Sequence, residues 1–252
     1  MIIELILAVI QAATEFLPVS SSGHLALFSI LFSEPDLFFI VLLHIASMIA
    51  VFIFVRKEIA RLFVFDKEAI KLWLFIIIAT IPGAFAGYFL KDRIEMAFNS
   101  VLFLGLAFLF TGTIILLTKI PRQKKILSLK SSVLIGLFQA IALFPGVSRS
   151  GMTVSGGLFS GLEKEKAAKF SFLLFIPLSI GALLLELLDF YKGEIVLNIP
   201  IHTIVISLIL CAVLSLLFLN LLMHFIKKDK FWMFSFYCYA IGLLCLVFYL
   251  IK

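Results

Sequence analysis

Long apolar runs dominate the chain, separated by short polar stretches rather than interleaved with polar residues at a helical or strand period. Six of them, Leu37 to Val55, Leu72 to Leu90, Phe98 to Thr118, Phe170 to Leu188, Ile201 to Ile226 and Phe231 to Ile251, have the length of roughly 17–25 residues that a helix needs to cross a bilayer. A lipid-facing segment must satisfy its own backbone groups, so all six are predicted helical. Two further segments, 1–32 and 131–162, are interrupted near their middles by Pro, Ser and Gly. Each reads as two short helices joined by a polar loop.

These two interrupted segments are copies of one another. Gln11 to Gly23 (QAATEFLPVSSSG) recurs as Gln139 to Gly151 (QAIALFPGVSRSG), an offset of 128 in a chain of 252 residues, and seven of the thirteen positions match. The copies diverge where chemistry would want them to: Glu15 faces Leu143, Ser21 faces Arg149 and His24 faces Met152. One copy brings an acid and an imidazole, the other a cation.

Composition fixes the medium. Hydrophobic residues make up 63% of the chain and charged residues 14%, far from a soluble domain. Met1-Ile2-Ile3-Glu4 lacks the basic head of a cleaved signal peptide, so none is expected. Cys211, Cys238 and Cys245 fall inside predicted spans and read as small packing residues. The net charge of +6 sits in loops between spans, where membrane orientation accounts for it without a nucleic-acid partner.

Loop charge also gives a topology. Arg56 to Lys71 and Lys119 to Lys130 carry five basic residues each, Lys91 to Glu95 two, Glu163 to Lys169 three, Asp189 to Pro200 only Lys192, and Lys227 to Lys230 three. The basic stretches lie on one side only if 131–162 returns to the side it came from, as a re-entrant hairpin. The expected fold is therefore a single all-α polytopic membrane domain of six transmembrane helices plus two re-entrant helical hairpins. Repeat 1 covers about 1–125 with its hairpin at 1–32, and repeat 2 about 131–252 with its hairpin at 131–162. Three spans per half turn the second copy upside down, an inverted repeat that brings both loops together near the midplane. The basic loops are then cytoplasmic, and both termini lie outside the cytoplasm.

Each loop sets hydroxyls and a glycine before a helical stretch, Ser20-Ser21-Ser22-Gly23 ahead of His24 and Ser148-Arg149-Ser150-Gly151 ahead of Met152. Free N–H groups at such helix starts suit an anion, and Arg149 adds a planar donor fork suited to phosphate or diphosphate. Gln11 and Glu15, four apart, share a helix face that points into the same cavity. A carboxylate beside a phosphate site either holds a divalent cation or accepts a proton, unless it is only the ion-pair partner of Arg149. His24 is an acid–base candidate or a capping donor, and Ser21 a candidate nucleophile. His44 and Glu186, also within spans, are read as satisfied by hydrogen bonds; Pro82-Gly83 and Pro177 are read as helix-bending.

Gln11-x-x-x-Glu15 followed by Phe16-Leu17-Pro18-Val19-Ser20-Ser21-Ser22-Gly23-His24, with Pro145-Gly146-x-Ser148-Arg149-Ser150-x-x-Thr153 in the second half, resembles the bacterial undecaprenyl-diphosphate phosphatase family linked to bacitracin resistance. The resemblance runs over the whole chain. It implies removal of the terminal phosphate from undecaprenyl diphosphate, which recycles the lipid carrier for cell-wall synthesis, with Mg2+ or Ca2+ as cofactor. It also implies a place in the bacterial inner membrane and a site opening to the periplasmic side. By motif position, Glu15 and Gln11 would face the metal or the nucleophile, Ser21 would be the nucleophile, His24 an acid or base and Arg149 the phosphate clamp. Ser20, Ser22, Gly23, Ser148, Ser150 and Thr153 would complete the phosphate site. Gln11 departs from the pattern, which often has Glu there.

Type 2 phosphatidic acid phosphatases also carry Ser-Gly-His, but they need His six residues after their Arg and Asp four later, where this chain has Ser155 and Phe159. Attack by Ser21, by His24 or by activated water remains open at this level. Broken helices in inverted repeats also characterise secondary transporters, so the other reading is a carrier or flippase for a phosphorylated polyprenyl lipid. The partners expected are the bilayer, a polyprenyl diphosphate and a possible second copy of the chain.

Overall fold

A computed structural model describes residues 1–32, 36–120, 125–191 and 199–251, the side chains of 37 and 185–191 excepted. Glu186 and Lys192 therefore lie outside the described side chains. Among the described residues the fold is all helical, with no strand. The first hairpin is α1 (Ile2–Phe16) and α2 (Ser21–Leu31), and the second is α8 (Leu129–Ile141) and α9 (Arg149–Phe159). Between and after them run α3 (Leu37–Phe54), α4 (Arg56–Leu62), α5 (Lys67–Phe89), α6 (Lys91–Phe98), α7 (Val101–Leu117), α10 (Lys164–Tyr191), α11 (Ile201–Lys227) and α12 (Phe234–Ile251).

Helices α5, α10, α11 and α12 (with its 3₁₀ start at Phe231) are individually long and apolar enough to cross a membrane. Counting α3 with α4 and α6 with α7, pairs bent by 78° and 102°, brings the number to as many as six. Two stretches expected as loops thus contain short helices. Arg56–Leu62 carries three of the five basic residues of its stretch and Lys91–Phe98 both of those in its own, and they turn sharply away from the apolar runs they adjoin. Helix α5 begins five residues before the apolar run, because the Asp66 side chain caps it at the Ala69 N–H and makes the Lys67–Lys71 turn helical.

Packing exchanges the two halves. Helix α1 of the first hairpin lies along α11, and α8 of the second lies along α5. Helices α3 and α10 pack together, as do α7 and α12. The last pair is close because small residues face each other: a Cβ on Gly242 would come within 2.9 Å of the Gly105 carbonyl oxygen. At the centre the Phe16 ring meets Phe172 and Phe175 edge-on at 6.3 and 5.7 Å. Large apolar side chains such as Ile81, Phe85, Ile209, Val213, Leu244 and Val247 point outward, the arrangement of a protein whose solvent is lipid.

The basic stretches collect at one end. Lys169 pairs with Glu58 at 2.6 Å, Lys164 pairs with Asp229, and the Lys125 N–H donates to the Gly161 carbonyl at 2.7 Å. The Lys119 ammonium sits 4.5 Å from the Trp232 ring centre. Four segments that loop charge assigns to one side are thereby stitched together. The cysteines are buried and free, with the Cys211 thiol donating to the Leu43 carbonyl and that of Cys238 to the Pro18 carbonyl. Pro82 and Pro177 both sit inside continuous helices.

Candidate active site

Both hairpin loops fold by the same local rule. Ser20 caps α2 by accepting from the Gly23 N–H at 3.2 Å, and Ser148 caps α9 by accepting from the Gly151 N–H at 3.1 Å. The helices therefore begin at Ser21 and Arg149, the two positions where the copies differ most usefully. Ser20 holds φ +67°, a conformation that costs a non-glycine residue about 1–3 kcal/mol and gathers at functional sites.

The two loops touch. A Cβ on Gly23 would lie 2.7 Å from the Gly146 Cα, so only glycine allows this approach, and Gly146 itself has φ +86°. Thr111 of α7 fastens the second loop: its hydroxyl donates to the Gly146 carbonyl at 3.0 Å and accepts from the Ser148 N–H at 3.2 Å. Ser150 crosses between hairpins to donate to the Leu17 carbonyl at 3.3 Å.

Glu15 stands at this junction as the common acceptor. Its Oε2 receives the Ser21 hydroxyl at 2.7 Å and the Gln11 amide at 3.0 Å, and its Oε1 receives Arg149 Nη2 at 2.5 Å. The carboxylate and the guanidinium are nearly buried, with side-chain exposures of 6% and 11%. Beneath the guanidinium lies the Phe175 ring, 4.0 Å away. The other terminal nitrogen, Arg149 Nη1, is buried without a hydrogen-bond partner among the described residues. An unmet buried donor costs about 1–3 kcal/mol, and more when charged, and an arriving anion would satisfy it.

His24 is held differently. Its Nδ1 lies 2.8 Å from the Ser20 carbonyl, which can only accept, so Nδ1 carries the proton and Nε2 is the free base. That Nε2 lies 2.8 Å from the Tyr237 hydroxyl.

The structure brings Gln11, Glu15, Ser21, His24 and Arg149 to one place, with Ser20, Ser22, Gly23, Ser148 and Ser150 in the loops around them. Ser22 and Ser20 hydroxyls are 3.4 Å apart, as are those of Ser148 and Ser150 at 3.3 Å. The Thr153 hydroxyl is engaged by its own helix and by α10, donating to the Arg149 carbonyl at 2.8 Å and lying 2.5 Å from Ser171. It thereby fixes the first turn of α9. Gln139, the counterpart of Gln11, donates to the Ala79 carbonyl beside Pro82 and anchors α5 instead.

Sequence reasoning gave His44 too little. It makes the expected local bond, to the Ile40 carbonyl at 2.9 Å, and its Nε2 also comes within 3.5 Å of Glu15. Thr111, Ser171, Phe175 and Tyr237 were missed. A lone Thr or Ser in an apolar run, or one Phe among 29, carries no signal by itself.

A divalent cation can be tested against these donors. Among the described residues no three His, Cys, Asp or Glu side chains gather into a ligand group. The pocket offers one carboxylate, Glu15, and a buried carbonyl oxygen, Gln11 Oε1, that has no hydrogen-bond partner. Two hard oxygens suit a cation that draws its other ligands from phosphate and water.

Comparison with known proteins gives the family. The family described as Bacitracin resistance protein BacA matches residues 4–244. An undecaprenyl-diphosphatase of Thermosipho africanus is 42% identical over 95% of this chain and 97% of its own. Those of Alkaliphilus metalliredigens and Bacteroides fragilis are each 38% identical, covering 98% and 96% of this chain and the same shares of their own. The converging hairpins, the Glu15–Arg149 pair and these full-length matches place the chain in the BacA bacitracin-resistance family.

Proposed function

We propose that this chain is a membrane phosphatase that hydrolyses undecaprenyl diphosphate to undecaprenyl phosphate and inorganic phosphate, regenerating a lipid carrier for cell-wall synthesis. The observation that carries this reading is Glu15 receiving Ser21 from one hairpin and Arg149 from the other. A hydroxyl held on a carboxylate is a nucleophile beside its base. The adjacent guanidinium, with one nitrogen unmet, is a phosphate clamp.

In the reaction the diphosphate draws Arg149 away from Glu15, and the freed carboxylate accepts the Ser21 proton. Ser21 Oγ forms a bond to the terminal phosphorus while the bond from that phosphorus to the bridging oxygen breaks. The lipid monophosphate leaves with the bridging oxygen. Water then attacks the phosphoserine, and inorganic phosphate departs as Ser21 regains its proton. The N–H groups of both first helical turns and Arg149 stabilise the phosphoryl charge throughout. Gln11 and Glu15 would hold a Mg2+ or Ca2+ brought with the diphosphate, and that ion supplies neutralisation of phosphate charge.

The two halves form an inverted repeat, supported by the exchanged packing of α1 on α11 and α8 on α5. The end carrying the stitched basic stretches is cytoplasmic. The site then opens to the periplasmic side of a bacterial inner membrane, with both termini outside the cytoplasm. The isoprenoid tail stays in lipid. A carrier of the same lipid would need no serine held on a base, which favours the enzyme.

Phosphate release from undecaprenyl diphosphate by the purified protein in detergent, with and without Mg2+, tests the reading. Release that is lost in Arg149→Ala supports it; lipid binding without release would leave a carrier.

A further inference from the structure

The cavity at the basic end mixes paired lysines and acids, and the apolar groove between α5 and α10 faces lipid. One contact at the site's edge says more. Tyr237 of α12 reaches across 213 positions of sequence to place its hydroxyl 2.8 Å from His24 Nε2. The two rings also stack, with centres 5.6 Å apart and planes 20° from parallel. On another side the Phe108 ring meets the imidazole edge-on at 5.3 Å.

The Ser20 carbonyl settles the proton: Nδ1 donates, so Nε2 accepts from the Tyr237 hydroxyl. The only basic nitrogen of His24 is thereby turned toward α12. Ser21 is already committed to Glu15 at 2.7 Å. Two proton-transfer pairs therefore stand side by side, Ser21 with Glu15 and His24 with Tyr237, and they do not share a proton. Tyr237 is 44% exposed, so the second pair opens toward whatever enters.

We infer that Tyr237 is the positioning residue for His24: its hydroxyl holds Nε2 on the α12 side, away from Ser21, where the departing lipid phosphate or the incoming water takes the hydroxyl's place on Nε2. The inference rests on the phosphatase reading. It has an internal control, because Tyr239 lies two residues further along the same helix and bonds Thr113 of α7 at 3.2 Å. If Tyr237 serves only to fasten α12 to its neighbours, the two tyrosines should behave alike.

The experiment compares Tyr237→Phe, Tyr239→Phe and His24→Ala with the parent protein in detergent, measuring kcat, KM and the ring ¹⁵N shifts of His24. The His24→Ala spectrum assigns the resonance among the four histidines. Tyr237→Phe keeps the stacked ring and should fold. It is expected to lower kcat on the order of tenfold with KM within about twofold, the signature of a misoriented group. It should also shift the His24 Nε2 resonance, while Tyr239→Phe leaves both unchanged. Unchanged kcat and Nε2 shift in Tyr237→Phe would overturn the inference while His24→Ala remains inactive. Equal losses in both tyrosine variants would overturn it in favour of helix fastening. Full activity in His24→Ala would instead remove His24 from the reaction and the inference with it.

Discussion

Arg149 Nη2 and Glu15 Oε1 meet at 2.5 Å although 134 residues separate them in the chain. The pair closes the junction between the hairpins and engages one face of the guanidinium. On the proposed reading substrate replaces a carboxylate rather than filling empty space, and Nη1, buried without a partner among the described residues, is left to meet a further anionic oxygen.

Arg149→Ala is expected to lower kcat by about a hundred- to a thousandfold, as loss of a transition-state donor commonly does. It also strands Glu15 as a buried charge, which costs about 3–5 kcal/mol. Thermal unfolding in detergent should show that drop. Adding Glu15→Gln to Arg149→Met should restore the midpoint without restoring activity, separating the pair's structural part from its chemical part.

Gly23→Ala should be far worse than an exposed Gly-to-Ala change. The new methyl would sit 2.7 Å from both Gly146 Cα and the Phe108 ring, forcing the loops apart. A loss of about 1–3 kcal/mol is expected from overpacking. Phosphate release should fall with it, because the displacement separates Ser21 from Arg149.

Gln11→Glu puts a second carboxylate beside Glu15, where the amide now donates at 3.0 Å. Two adjacent anions favour a bound cation. The half-saturating Mg2+ concentration should decrease, and without added cation the variant should be less active than the parent. Gln11→Leu, which removes the unpartnered oxygen, should raise the half-saturating concentration.

His44→Gln tests a residue that the sequence left in the background. With Nε2 3.5 Å from Glu15, its imidazole helps hold the carboxylate for Ser21. A fall in kcat of about tenfold with little change in KM is expected. No change would leave His44 as a helix-bonding residue only.

The hairpins were legible because Pro, Ser and Gly interrupt otherwise apolar segments, and the repeat made Ser21 and Arg149 natural partners. The six apolar runs also stood out, since composition in lipid is a strong constraint. What escaped depended on registers between distant helices. Nothing in a lone Tyr on the final span signals that it reaches α2, and nothing about Phe175 marks it as the floor under Arg149. Helices α4 and α6, bent by 78° and 102° from the apolar helices they adjoin, were missed because short charged segments carry little periodicity.

The central claim is that Ser21 takes the terminal phosphoryl group while Arg149 holds it. Rapid quenching of the purified protein with undecaprenyl diphosphate labelled at its terminal phosphorus, followed by peptide mass spectrometry, tests this directly. The account predicts label on Ser21 in the parent protein and none in Ser21→Ala or Arg149→Ala. Rapid phosphate release by Ser21→Ala, with no labelled serine in the parent, would contradict it.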